Sequence, residues 1–188
     1  MEAQTLTSQT PSGKIGVWWF LASEIPVFGG LIVSYIVLRL GGAGWSEASS
    51  HLNFNFALAN TFVLLTSSLT MVLAFAEVEA ERPRRVGNYL LLTILLGVLF
   101  LAVKGFEYAG EIGKGFTPGA GIFWSFYYGM TGLHALHVLA GIVVNLILYL
   151  QALSGALQRH GHRVELAGLY WHFVDVVWIF LFPLLYLT

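Results

Sequence analysis

Five long apolar runs alternate with short polar joints along the 188-residue chain. The runs cover about 15–38, 54–76, 87–103, 122–151 and 166–187, the third fraying towards Glu107. Crossing roughly 30 Å of hydrocarbon takes about 20 mostly apolar residues in a helix, and each run is of that order. The fourth is long enough to tilt. Strands of an outer-membrane barrel would read as segments of about 10 residues with strict alternation. These runs are continuous in Leu, Val and Phe, and they predict helices. The joints are Gly41 to Gly44, Glu77 to Arg85, Gly113 to Gly121 and Ser154 to Glu165, none long enough for a second domain. The expected fold is all-α: a polar tail over 1–14, then one five-helix transmembrane domain over 15–188. The first ten residues are polar and predict a frayed end. The first apolar run is too long, and carries a glutamate, for a cleaved signal peptide.

Composition agrees with that reading. Hydrophobic residues make up 57% of the chain and charged residues 10%, with mean hydropathy +0.75. A soluble domain carries about 25% charged residues. Nine Lys and Arg against ten Asp and Glu exclude a basic nucleic-acid footprint. With no cysteine, disulfides, thiolate metal sites and covalent haem attachment are excluded as well. Basic residues flanking the runs set the orientation. With the N-terminus cytoplasmic, that side receives Lys14, Arg82, Arg84, Arg85, Arg159 and Arg163, and the other side Arg39, Lys104 and Lys114. Six against three favours a cytoplasmic N-terminus and an outer C-terminus. Lys104 lies close enough to a helix end to snorkel.

Polar residues inside the runs are the candidate chemistry, because an intramembrane charge costs at least about 2.5–3.5 kcal/mol unless it faces protein or water. Glu24 and Asp175 lie at similar depth near the midplane, as a proton or lipid-headgroup site or as acids bonded between helices. Trp171, His172, Asp175 and Trp178 fall along one side of the fifth run, with His172 and Asp175 close enough to share a hydrogen bond. His134 and His137 share a face of the fourth run, which is rich in glycine. Three intramembrane histidines raise the prospect of haem or copper. Their depths do not bracket stacked haems, and helix packing is the favoured explanation. Glu107 reads as a solvated helix end near the outer interface. Pro26 predicts a kink after Glu24. No Walker loop, nucleophile elbow or zinc-protease motif is present.

Nine consecutive residues, Tyr170-Trp171-His172-Phe173-Val174-Asp175-Val176-Val177-Trp178, resemble the last-helix signature of subunit III of the haem–copper oxidases. Ala22-Ser23-Glu24 with Phe28 is similar to the family's acid-bearing helix, whose glutamate reacts with carbodiimides. Asn60 to Ser68, Thr131 to Val138 and Glu165 also match in order and spacing, and the resemblance runs from about Lys14 to Leu187. It implies the five-helix bacterial form, N-in and C-out, in the cytoplasmic (inner) membrane. It further implies a non-catalytic subunit with no haem or copper of its own, those centres lying in partner subunits. Such subunits pack on subunit I alongside subunit II, with small subunits or a supercomplex as further partners, and hold structural phospholipid. They are thought to sustain proton uptake and protect the oxidase, which reduces oxygen to water and pumps protons, during turnover. By resemblance Glu24 and Asp175 support that role, and His134, His137, His172, Glu107 and Glu165 form a polar interior. Two departures stand out: Lys104 occupies a position where many relatives have Gln, and Leu150-Gln151 replace an arginine that some relatives use for lipid phosphate.

The neighbouring readings are an accessory subunit of a nitric oxide reductase, from the same superfamily, and a self-sufficient membrane cytochrome b using the histidines. A transporter is disfavoured by the lack of inverted repeats and paired broken helices. The electron donor, cytochrome c or quinol, is determined in other subunits.

Overall fold

A computed structural model of the chain describes residues 12–42, 45–159 and 161–187. The expected frayed end falls on residues outside these, as do Ala43 and Gly44 of the first joint. Among the described residues the fold is helical and contains no strand: α1 (Ser12–Gly41), a short α2 (Trp45–Ser49), α3 (Phe54–Glu79), α4 (Pro83–Gly113), α5 (Ile122–Leu153) and α6 (His162–Tyr186), with a 3₁₀ turn at Ala156–Arg159. Five of these helices are long and apolar enough to cross a membrane.

Local signals start the helices where they start. The Asn53 side chain accepts from the backbone N–H groups of Asn55 and Phe56 and caps α3. Pro83 opens α4, where its missing N–H costs nothing. Between α3 and α4 the turn closes through Glu81 at φ 54°, a left-handed conformation unusual for a residue with a Cβ. Pro26 lies inside α1 and leaves the helix continuous from Ser12 to Gly41.

All five long helices exceed their apolar runs, α1 and α4 by the most. Ser12, Gly13 and Lys14, read as tail, form the first turn of α1. The helix α4 begins at Pro83 and continues to Gly113, taking in Lys104, Glu107 and Glu111. Charged residues read as an exit from the membrane here stay inside because they satisfy one another within the bundle. At 1.5 Å per residue the 31 residues of α4 span about 46 Å, so both ends reach the headgroup zone.

The core lies among α3, α4, α5 and α6, with α1 applied to the outer side of α5 and α6. Close approach is arranged by small residues, as helix packing in lipid requires. Trp171 of α6 is wedged between two glycines: a Cβ at Gly97 would lie 2.9 Å from its ring, and one at Gly141 would lie 2.7 Å away. Its indole N–H donates to Ser67 Oγ, and that of Trp178 donates to Thr61 Oγ1. The stretch Asn60 to Ser68 is therefore the face of α3 that receives α4 and α6, since Asn60 Nδ2 also donates to the Phe100 carbonyl of α4.

Candidate functional site

Each candidate residue has a definite place: three groups lie within the bundle, and Glu165 stands apart at one end. In the first, Glu24 of α1 meets His137 of α5, with Oε2 to Nε2 at 3.2 Å. The other ring nitrogen, Nδ1, lies 2.9 Å from the Leu133 carbonyl. A carbonyl can only accept, so Nδ1 carries a hydrogen. Nε2 is therefore the ring nitrogen that faces the Glu24 carboxyl. Tyr170 of α6 donates its hydroxyl to the His137 carbonyl at 2.9 Å, and Phe20 and Phe28 flank the imidazole. Glu24 and His137 therefore meet at the α1–α5 seam as a carboxyl against an imidazole. Glu24 retains 16% of its side-chain surface, so the unit is reachable from outside the bundle.

The second group is on α6. His172 Nδ1 is hydrogen-bonded to the Ser68 hydroxyl of α3 at 2.6 Å, and does not bond Asp175 as its spacing had led one to expect. Both side chains face Ser68 of α3, and its hydroxyl is taken by the histidine. Asp175 is buried beside Ser68, yet neither of its oxygens has hydrogen-bond geometry with any described residue. Glu24 and Asp175 thus face different helices, α5 in one case and α3 in the other. His134, also fully buried, turns inward against Phe100 and Trp178 with ring centroids 5.5 and 5.2 Å away. His134 and His137 therefore diverge, one into the core and one onto α1.

The third group overturns the sequence reading of Glu107 and Lys104. Glu107 is not a solvated helix end, and Lys104 does not snorkel: both are buried, with Lys104 Nζ 2.9 Å from Glu107 Oε2. The ammonium also donates to the hydroxyls of Tyr186 at 2.8 Å and Tyr127 at 3.2 Å, which uses all three of its hydrogens. Tyr186 in turn donates to Glu107 Oε1 at 2.6 Å. The rings of Tyr108, Tyr127, Trp178 and Tyr186 surround the ammonium at 4.9–5.5 Å, within cation–π range. Sequence reasoning noted Lys104 without seeing this cluster. The available signal was the Lys-x-x-Glu spacing, which puts opposite charges on one helix face.

Glu165 corrects the picture in the other direction. It is not interior but lies in the first turn of α6, where its carboxylate pairs with Lys14 at 2.6 Å and ties the starts of α1 and α6 together. Both side chains are more than a third exposed, so the pair contributes little to stability. At the same end Glu77 faces Arg82 and Arg85 at 3.6 and 3.4 Å. Among the described residues no group of three or more His, Asp or Glu is placed to hold a metal ion.

Five helices of membrane-crossing length, with a buried ion pair and a carboxyl–imidazole contact between helices, define a multi-pass membrane protein with a polar interior. The cytochrome c oxidase subunit III family matches the chain over residues 4–188, so the chain belongs to that family: it is a non-catalytic subunit III of a haem–copper oxidase. Relatives named "Probable quinol oxidase subunit 3" are 32% identical in Staphylococcus epidermidis and Staphylococcus haemolyticus, and 31% in Staphylococcus aureus. Each alignment covers 99% of this chain and 95% of the relative. Membership means assembly with the other subunits of an oxidase, and subunit III of these enzymes has no metal centre of its own.

Proposed function

We propose that this chain packs against the catalytic subunit I in a bacterial cytoplasmic membrane, alongside subunit II, with its N-terminus in the cytoplasm and its C-terminus outside. There it holds structural phospholipid and sustains proton uptake while the complex reduces oxygen to water and pumps protons. The observation that carries this reading is the Glu24–His137 unit. It sets a carboxyl against an imidazole at a seam between helices, two groups able to take up and release a proton, with the carboxyl reachable from outside the bundle. Asp175, His172 and His134 continue the polar interior behind it, and Glu107 and Glu165 serve the two ends of the bundle as structural partners.

Lipid has a fitting seat near the same seam. A groove of about 510 Å³ runs between α1, α5 and α6, walled by Val17, Phe20, Val144 and Ile147, with Gln151 and Arg163 at its polar end. Its size and apolar wall suit an acyl chain, and Arg163 suits a phosphate. Arg163 thereby takes over the task of the arginine missing near Leu150-Gln151. Quinol is the electron donor to test first, since the relatives above are named for quinol oxidases.

The test compares Glu24→Ala and Glu24→Gln in the purified complex. Both variants are expected to keep the absorbance spectrum of the haem centres and to lose activity faster than wild type during continuous turnover. Gln can donate an N–H to His137 Nε2 but cannot release a proton, so rescue by Gln would reduce Glu24 to a packing role and overturn the proposal. Mass spectrometry of the subunits that co-purify checks the assembly independently. Nitric oxide reductase subunits in place of a haem–copper subunit I would reject it.

A further inference from the structure

A second groove lies on the opposite flank, between the start of α3 and the end of α4, far along the chain from the Glu24 seam. It encloses about 420 Å³ and is lined by Phe56 of α3 and by Val103, Phe106, Gly110 and Glu111 of α4, with Lys114 at the helix end. Phe56 and Phe106 are exposed, so this wall is apolar and faces lipid. The far wall is charged. Glu111 is 3% exposed, and its Oε1 accepts from the Lys114 ammonium at 2.8 Å. Its Oε2 has no hydrogen-bond partner. The Lys114 side chain is 55% exposed, leaving its ammonium donors to spare. Glu107, on the same wall, has no such opening, because Lys104 and Tyr186 occupy its two oxygens.

An acceptor without a donor, next to a cation with spare donors, is the electrostatic complement of a zwitterion. The depth is also right. The 31-residue α4 is about 46 Å long against roughly 30 Å of hydrocarbon, so its last turn lies among headgroups while Val103 and Phe106 lie beside acyl chain. We propose that this groove binds the phosphoethanolamine head of a membrane phospholipid, its ammonium donating to Glu111 and its phosphate accepting from Lys114, with an acyl chain along Phe56, Val103 and Phe106. Oε2 is enclosed, so the ammonium is met at Oε1, which faces Lys114 and keeps a second lone pair, and a turn about the terminal bond exchanges the two oxygens there. Choline is a poorer fit because its quaternary nitrogen has no hydrogen to donate. Glycerol headgroups lack the cation altogether. This proposal rests on the chain spanning a membrane and is independent of the assignments made to Glu24 and to the groove beside α1.

The test is native mass spectrometry of the full chain, in the complex with which it purifies. The complex is titrated with phosphatidylethanolamine, phosphatidylcholine and phosphatidylglycerol of identical acyl chains. Phosphatidylethanolamine is expected to bind tightest at one saturable site. Glu111→Gln is expected to weaken it by at least about tenfold, the equivalent of one hydrogen bond to a charged group, with the other two lipids unchanged. Gly110→Leu provides a variant that leaves the ion pair intact. A Cβ at Gly110 meets nothing within 4 Å, so the helix accepts it, and the added side chain fills the groove. It is expected to abolish the preference for ethanolamine without loss of folded complex. Equal binding of choline and ethanolamine lipids to wild type, a preference for the glycerol lipid, or a preference that survives Gly110→Leu would each overturn the proposal.

Discussion

Lys104 shows how a single residue changes meaning when its surroundings are known. In the sequence it is a charge near the end of an apolar run, and a flexible lysine there would reach for water. In the fold its ammonium is enclosed by four aromatic rings and bonded to Glu107, Tyr127 and Tyr186. Such a pair adds little over an apolar substitute, because both ions are taken out of water. Losing one partner strands the other, at a cost of about 3–5 kcal/mol. Lys104→Gln is therefore expected to lower the thermal stability of the detergent-solubilised protein by that amount, since Glu107 remains as an uncompensated buried carboxylate. Adding Glu107→Gln is expected to recover most of the loss, because an amide carbonyl still accepts from the Tyr186 hydroxyl. A double variant as unstable as the single one would show that the ion pair is not what holds this layer together. Thermal melts of the three proteins side by side decide the matter.

At the level of helices, the packing of α6 turns on one tryptophan and two glycines. The Trp171 ring occupies the space that a methyl group at Gly97 or Gly141 would need. Gly141→Ala is expected to destabilise the fold by about 1–3 kcal/mol through overpacking. Gly129 lies on the same α5 helix with nothing within 4 Å of the position of an added Cβ. Gly129→Ala is accordingly expected to be neutral or slightly stabilising, and equal melting shifts for the two variants would contradict the wedge. This contrast is invisible in the sequence, where both residues are glycines in one apolar run. The helices themselves were legible, because hydropathy reports burial in lipid directly. Their ends were less so. Hydropathy treats Lys104 and Glu107 as an exit from the membrane, whereas a pair that satisfies itself inside protein does not end a helix. Pairings across helices were least legible of all. The partner of His172 is Ser68, 104 residues away, and no local spacing encodes it. The histidines of α5 were correctly placed on the helix, but only the positions of α1, α4 and α6 send His137 outward and His134 inward.

The whole bundle has two chemically different ends, and these bear on how it sits in its membrane. One end collects Lys14 of α1, Arg82 just before α4, Arg84 and Arg85 of α4 and Arg163 of α6, with Arg159 beside them in the chain. The other carries Arg39 and Lys114, together with Lys104 in the six-against-three count made from sequence. The rule that orients membrane proteins counts basic residues in the segments flanking the spans. Lys104 is enclosed in the bundle and belongs to no flank, so it leaves the count. The asymmetry becomes six against two, stronger than the sequence alone conveys. Five crossings place the termini on opposite sides. Alkaline phosphatase, active only outside the cytoplasm, is therefore expected to be active when fused to the C-terminus and silent when fused after Ser154. A fluorescent protein that folds only in the cytoplasm is expected to give the reverse pattern at both positions. Phosphatase activity after Ser154 with a bright C-terminal fluorescent fusion would invert the bundle. The arginine-rich end, and with it the Lys14–Glu165 tie and the Arg163 mouth of the lipid groove, would then lie outside the cell.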